Sequence, residues 1–548
     1  MKKIIILFSI LLIGTTCCTS QPMDPSMQKM NMVVYAIQNL YVDDVNKEKL
    51  TEDAIIALLK ELDPHSDYMN KEEVKEMNEP LQGNFDGIGI QFNMLTDTLY
   101  VIQVISGGPS EKVGVLAGDR IIMVDDTTIA GVNMKTNDVM RRLRGKKGTM
   151  VRVKIQRQNV PELIEFKIIR DKIPIYSLEA AYMANKETGY IRLNRFAATT
   201  HDEFLKAFEE LKKKRMKNLI LDLQGNGGGY LNAAIDLCDE FLKKGKTIVY
   251  TEGAHQKRED AKATEKGVFE TGNLIVLIDE GSASASEIVS GALQDWDRAV
   301  IVGRRSFGKG LVQRPIPLPD GSMIRLTTAR YYTPTGRGIQ KPYENGNKES
   351  YNRDLIERYN RGEMVSADSI HFPDSLKYNT LITGRTVYGG GGIMPDLFIP
   401  FDTTKYTSFH RNVSARGLLN KVAMNYIDRN RAKLQKQYKN IEQFSEKFTV
   451  PNEEMESLWN LYEEEKKEFL KGKENEDAAK KAEDEKKERE EYEKSKTLIT
   501  LHIKALIARD LWDMGEYFYI MNQDNESYQR ALQIISNPQE YKKLLGEK

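Results

Sequence analysis

A chain of 548 residues exceeds the size at which a single hydrophobic core keeps growing, so several domains are expected. Its 80 basic and 80 acidic side chains cancel, which removes the basic excess that nucleic acid would demand of a principal partner. Hydrophobic residues make up 40% of the chain, ample material for folded cores.

The chain start reads as a targeting segment. Lys2 and Lys3 precede an apolar run from Ile4 to Ile13, and the small residues Gly14, Thr15 and Thr16 lead to Cys17 and Cys18. About ten apolar residues are too few to span a bilayer, which disfavours the alternative of an uncleaved anchor. Cysteines at the cleavage point resemble a lipoprotein signal, although Gly14 or Thr15 holds the place where that pattern prefers a Leu-like residue. Residues 1–18 are therefore expected to be a lipoprotein-type signal peptide, with the protein exported, periplasmic and membrane-anchored by lipid on Cys17 or Cys18. Cys238 is the remaining cysteine, so the body of the protein has no disulfide framework, and a packed thiol is expected there.

Residues 24–80 carry apolar positions three and four apart from Met30 to Leu62, which predicts a helical region closed by the turn Leu62-Asp63-Pro64-His65-Ser66-Asp67-Tyr68. His65 has no second ligand-type residue at metal spacing and is not expected to bind one. Residues 81–172 switch to short β-type runs (Ile88–Phe92, Leu99–Ile105, Ile121–Val124, Met150–Gln156, Leu163–Ile169) with helical stretches near Ser110–Val115 and Thr136–Leu143. That order predicts a small, partly open β-barrel with two helices. Residues 173–404 alternate apolar strands, at Tyr190–Leu193, Asn218–Leu223, Leu274–Ile278 and Ala299–Val302, with helical patterns, which predicts a mainly parallel α/β core. Pro342–Ser375 is polar, without periodicity, and reads as a long surface insertion. Residues 405–548 read as a helical, charge-rich extension whose mixed-sign run from Glu463 to Lys496 suits a solvated helix with i,i+4 pairs or a disordered segment; a partner-docking or oligomerising helix is the sharper alternative.

Three segments carry chemistry. Asp279-Glu280-Gly281-Ser282-Ala283-Ser284-Ala285-Ser286-Glu287 follows an apolar strand and opens an apolar helix. Ser284 with Glu287 fits a capping box, so by itself Ser284 is as well explained as a helix cap. Gly303-Arg304-Arg305-Ser306-Phe307-Gly308-Lys309-Gly310-Leu311-Val312-Gln313 places one lysine between glycines at the end of another apolar strand. A serine hydroxyl needs a base to attack, and a lysine serves as that base only when burial keeps its amine neutral. The six histidines all lie outside these segments, so a Ser-His-Asp triad has no sequence support, and no His-Glu-x-x-His or Cys-x-x-Cys metal spacing occurs. Asp222-Leu223-Gln224-Gly225-Asn226-Gly227-Gly228-Gly229 runs from a strand into a glycine loop, whose amides suit either a phosphate or the oxyanion of an acyl-transfer intermediate; the phosphate-loop pattern is missing, which favours the oxyanion.

Together these segments resemble the carboxyl-terminal processing proteases, the tail-specific, Ser/Lys-dyad peptidases of family S41. Ser-Ala-Ser-Ala-Ser-Glu, then Gly-Ala-Leu-Gln-Asp, then Phe-Gly-Lys-Gly-x-Val-Gln carry the resemblance, with Lys309 following Ser284 by 25 residues. The resemblance implies a crotonase-like α/β protease core with an inserted PDZ β-barrel domain, an N-terminal helical segment and a C-terminal helical extension. It implies Ser284 as nucleophile, Lys309 as general base and Gln313 as the residue orienting that base, one turn further on. It also implies the amides of Ala285 and of Gly228 or Gly229 as oxyanion donors, Asp295 as structural support, and no cofactor or metal. Gln224 departs from the family's Asp-Leu-Arg-x-Asn, which puts the loop's charge pairing in question. Within the PDZ-like segment, Gly87-Ile88-Gly89-Ile90 matches the loop that cradles a peptide C-terminal carboxylate, and an extended peptide would add a strand there. Tyr388 to Asp396 matches the family's strand returning to the core.

The expected function is hydrolysis of unfolded or exported proteins recognised by free, apolar C-termini, with no nucleic-acid partner and with oligomerisation or an adaptor left to the C-terminal helices. Two rivals stay open: an idle binding or scaffold lipoprotein on the same fold, and a structural lipoprotein whose tail docks a partner.

Overall fold

The computed structural model describes residues 24–95, 97–158, 160–470 and 478–547; the expected signal peptide lies outside the described residues. The N-terminal region forms helices Pro25–Leu40, Lys47–Lys60 and Lys71–Gln82, each opened by a side-chain cap from Asp24, Asn46 or Asn70. Between the last two, the Asp63–Ser66 turn leads into a short strand, Asp67–Met69, that pairs antiparallel with Met323–Tyr332 far down the chain. Pairing with a distant strand is invisible to a periodicity reading, so a wholly helical region was the natural expectation.

Strands Ile90–Leu95, Thr98–Val104, Arg120–Val124, Met150–Gln156 and Ile164–Ile169 pair antiparallel in that order. Val151, Val153 and Ile155 are fully buried while their neighbours are partly exposed, the alternation of a sheet with one packed face. Helices Pro109–Val113 and Thr136–Leu143 cover that face, the second through Val139 and Leu143. Ile90–Leu95 pairs only with Thr98–Val104 among the described residues, which leaves its other edge open.

The central sheet runs Leu178–Met183, Thr188–Leu193, Asn218–Asp222, Leu274–Ile278, Val300–Gly303, Leu397–Phe398, parallel after the first pair. The last strand follows the Tyr388–Asp396 segment. Each central strand is apolar on both faces, as parallel strands are. One face, with Leu219, Leu221, Leu274, Val276 and Ile301, packs on helices Thr200–Lys213, Leu231–Asp239 and Ala285–Asp295. The other face, with Tyr190, Ile220, Ile275, Leu277, Val300 and Val302, is covered by the C-terminal helices Glu526–Ile535 and Pro538–Leu544. Tyr541 even joins the backbone of the sheet, its hydroxyl donating to Leu274 O (3.1 Å) and accepting from Leu274 N (2.9 Å). The end of the charge-rich extension is thus a layer of the protease core.

One more expectation changes. Pro342–Ser375 contains the helix Lys348–Asn360, which buries Tyr351 and Arg358 and ties to the loop before Lys309, Arg358 donating to Ser306 O (3.0 Å) and Arg305 O (2.8 Å). Its buried side chains are an arginine and a tyrosine, so no apolar stripe advertised it. The charge run lies mostly on helices Asn452–Leu470 and Ala478–Leu511, and the apolar end of the latter packs into a second helical core with Phe409, Phe444 and Leu458. That unit grips the PDZ-like sheet: Asp428 accepts from Tyr100 (2.7 Å) and Arg120 (2.6 Å), and Met424 is buried against Tyr100 and Ile102. Cys238 is free and buried, as a packed thiol should be.

Ile534 is fully buried against the sheet's second face. Ile534→Ala should lower unfolding free energy by about 2–4 kcal/mol, read from urea denaturation. An unchanged midpoint would show that these helices do not belong to the core.

Candidate active site

Two strand ends and one helix start build the site. Leu274–Ile278 ends in the turn that carries Ser282 and Ser284, and Val300–Gly303 ends in the loop that carries Ser306 and Lys309. Adjacent parallel strands open their C-terminal ends on the same side of the sheet, where ligands bind in such folds.

Ser284 sits immediately before helix Ala285–Asp295 with φ 55° and ψ −110°. A serine there is strained by about 1–3 kcal/mol, which the surroundings must impose. They do so through Glu287. This fully buried carboxylate accepts on Oε2 from Ser284 N (2.8 Å) and Lys309 N (2.9 Å), and on Oε1 from Gly308 N (2.7 Å) and Ser306 Oγ (2.5 Å). Burial pushes the Glu287 carboxyl up from the ordinary glutamate range, while the four donors pull the other way. The carbonyl side is joined as well: the buried Tyr331 hydroxyl donates to Lys309 O and lies 3.1 Å from Ser284 O. The residues proposed as nucleophile and base, 25 apart in sequence, are therefore held backbone to backbone.

Lys309 is half-buried, and desolvation, helped by the Arg325 charge and opposed by Glu287 and Asp63, pushes its amine down to about 8. Gln313 lies on the strand Leu311–Pro317, not on a turn, and faces Thr327 across the hairpin; a register shift there leaves Thr328 as an extra residue in the partner strand. Its Nε2 donates to Leu311 O (3.0 Å) and Thr327 Oγ1 (3.3 Å).

The glycine loop folds over Ser284. A Cβ on Gly228 would stand 2.8 Å from Ser284 Cβ and 3.0 Å from Ala285 N, so only glycine permits this approach. The buried Asn226 buckles the loop by donating to Leu193 O (2.9 Å) and accepting from Gly228 N (2.9 Å). Of the three amides anticipated as oxyanion donors, that of Gly228 is thus engaged, while those of Ala285 and Gly229 have no partner among the described residues. Arg192, from the neighbouring strand, supplies the cation that Gln224 does not: it bonds Asp222 (2.7 Å) and Gln224 O (2.8 Å).

Asp295 is at the far end of the helix, about 16 Å from Ser284 by helix rise. It pairs with the buried Arg337 (2.7 Å) and accepts from Thr335 N and Oγ1, so it braces the Thr333–Arg337 loop rather than meeting the serine.

At the PDZ-like module, Gly87 ends a strand, Ile88 is buried, Gly89 has φ 78°, and Ile90 begins the open-edged strand. The carbonyls of Ile88 and Gly89 are taken by Ser110 and Ile105, whereas their amides donate to no group among the described residues. No group of three or more metal-ligating side chains occurs among the described residues, and none of their helices is long and apolar enough to cross a membrane.

The family model for peptidase family S41 matches residues 187–346. A carboxy-terminal-processing protease of Bartonella bacilliformis is 41% identical over 311 residues, 56% of this chain and 70% of that protein. The chain belongs to the carboxy-terminal processing protease family. Within this processing protease, the PDZ domain model matches residues 87–168, the N-terminal domain model of the activating protease CtpB residues 15–73, and a family of unknown function residues 409–513. The carboxy-terminal processing protease CtpB of Bacillus subtilis is 36% identical over 326 residues, 58% of this chain and 66% of that one. A solved photosystem II D1 C-terminal processing protease aligns over 58% of this chain and 90% of that one at 29% identity, with a TM-score of 0.32.

The sequence shows Glu287 only as a helix cap and Asp63, His65 and Ser66 only as parts of a turn, and it does not single out Thr327. Glu287→Gln replaces one of two acceptor oxygens by a donor facing two other donors. It should cost about 2–4 kcal/mol of stability and on the order of a hundredfold in proteolytic rate, read from thermal melts and hydrolysis of an unfolded protein; wild-type values for both would refute the organising role.

Proposed function

We propose that this protease is a serine endopeptidase with a Ser284–Lys309 dyad on a crotonase-like core, and that the Gly87–Ile90 loop of its PDZ domain recognises free, apolar C-termini of unfolded or exported proteins. The observation that carries the proposal is the shared Glu287 carboxylate, which ties the Ser284 and Lys309 backbones to one point beside a desolvated amine. Lys309, neutral, takes the Ser284 proton as Oγ attacks the scissile carbonyl; Ala285 N and Gly229 N stabilise the oxyanion; the proton passes to the leaving amine. Water activated by the same amine then hydrolyses the ester. Gln313 orients Lys309 and Asp295 supports the fold around it.

A peptide lying along the open edge of Ile90–Leu95 would place its carboxylate at the unpaired Ile88 and Gly89 amides. Holding the chain there raises its effective concentration at Ser284. The lipoprotein signal, ending at Cys17 or Cys18, would place this reaction outside the cytoplasm at a membrane surface. The domain plan proposed is an N-terminal helical region at 24–80, PDZ domain at 81–172, protease core at 173–404 and extension at 405–548, whose last two helices also line the core.

Residues 24–548 should degrade an unfolded protein with an apolar C-terminus, and Ser284→Ala and Lys309→Ala should each abolish this without changing the melt. The rate should rise about tenfold per pH unit below about pH 8 and level off above it, because only the deprotonated amine is a base. Full activity in either variant, or a flat pH profile, would refute the dyad.

A further inference from the structure

Gln313 would orient the base, yet an amide side chain can present either its oxygen or its NH2 group to a neighbour. Two acceptors fix its direction, and one of them is controlled from the other end of the sequence. Both Gln313 Nε2 contacts are to oxygen acceptors, Leu311 O and Thr327 Oγ1. A hydroxyl could also act as donor to a flipped amide, but Thr327 spends its proton elsewhere: its Oγ1 donates to Asp63 Oδ1 at 2.9 Å, across 264 residues of sequence. Thr327 N is also claimed, donating to Ser66 Oγ at 3.1 Å.

Asp63 is buried and fully engaged, Oδ1 accepting from His65 N (2.8 Å) and Ser66 N (3.0 Å) besides Thr327, and Oδ2 from Ser66 Oγ (2.5 Å). Two backbone amides and two hydroxyls donate to it, an arrangement that favours the ionised form. Burial works against that charge, but the hydrogen bonds from Ser66, His65 and Thr327 more than offset it and hold the carboxyl below the ordinary aspartate range. The turn itself is anchored by the pairing of Asp67–Met69 with Met323–Arg325 and by His65 Nε2 against the Tyr351 hydroxyl (3.0 Å).

We propose that Asp63 is a positioning residue for the general base: by holding the Thr327 hydroxyl as an acceptor it gives the Gln313 amide the second of its two fixed contacts, beside Leu311 O. This rests on the Ser284–Lys309 assignment. Leu311 O can only accept and so sets the amide direction, and with Asp63 ionised the Thr327 hydroxyl accepts as well, so both Nε2 hydrogens are held. Without that carboxylate the hydroxyl proton is free, the second contact is lost, and the Gln313 side chain is held at one point instead of two. The charged groups acting on Lys309 are Asp63 from the turn, Glu287 from the helix start and Arg325 from the facing strand, while His65, driven down to about 3 chiefly by burial and next by Lys309, stays neutral. Asp63 thus has a second effect of known sign: its negative charge favours the ammonium, so losing it lowers the pH at which Lys309 becomes a base.

The test compares the full chain with Thr327→Val, Thr327→Ser and Asp63→Asn on an unfolded protein substrate, with Ser284→Ala and Lys309→Ala as controls. Thr327→Val should lower kcat about tenfold or more at unchanged KM, and Thr327→Ser should restore it. Asp63→Asn should lower kcat and move the midpoint of the pH–rate rise down by about half a unit. A purely scaffolding turn would leave kcat on the alkaline plateau unchanged, since the charge of Asp63 by itself moves only the midpoint. If Thr327→Val fails to fold, the plateau kcat of Asp63→Asn decides. Wild-type plateau kcat in folded Thr327→Val or Asp63→Asn overturns the proposal while inactive controls leave the dyad standing; activity in the controls overturns the dyad itself.

Discussion

A carboxylate sealed from water and surrounded by donors is the constraint on which the site depends. Removing a charge from water is expensive unless its acceptor positions are filled, so the Glu287 pocket is stable only when the Ser284, Gly308 and Lys309 amides and the Ser306 hydroxyl arrive together. That couples two loops at the ends of neighbouring parallel strands, and it holds Ser284 in a conformation a serine avoids. Tyr331 repeats the coupling from the carbonyl side. The relative placement of the Ser284 and Lys309 backbones is thereby written into hydrogen bonds to one carboxylate rather than into two flexible side chains.

Much of this was legible before any coordinates. Apolar runs such as Leu274–Ile278 marked the parallel strands because strands buried on both faces need no polar alternation. The small residues around Ser284 and the glycines around Lys309 marked the strand ends, where backbones must approach closely. The cap reading of Ser284 and the catalytic one turned out to use the same glutamate: Ser-x-x-Glu is a helix signal, and burying that Glu between two loops makes it an organiser as well.

What stayed hidden was whatever depends on distant pairing. Asp63-Pro64-His65-Ser66 reads as a turn that ends a helix, and nothing local says that its carboxylate will meet Thr327. Helices Glu526–Ile535 and Pro538–Leu544 carry ordinary amphipathic stripes, which declare a buried face without naming what buries it. The parallel sheet, for its part, demanded cover on its second face without naming the donor. The Lys348–Asn360 helix hid because arginine and tyrosine are its buried side chains. The C-terminal helices thus complete a core that the middle begins, the N-terminal turn is tied to Met323–Tyr332, and the extension holds the PDZ sheet through Asp428 and Met424.

The central claim is that one lysine amine gives up its proton near pH 8, well below the ordinary lysine range, because the fold strips water from it. The most direct measurement is an NMR titration of Lys309, selectively labelled at the ε-carbon, in the Ser284→Ala protein so that no substrate turnover intervenes. The account predicts a midpoint near 8; a midpoint at the ordinary lysine value, above about 10, would contradict it.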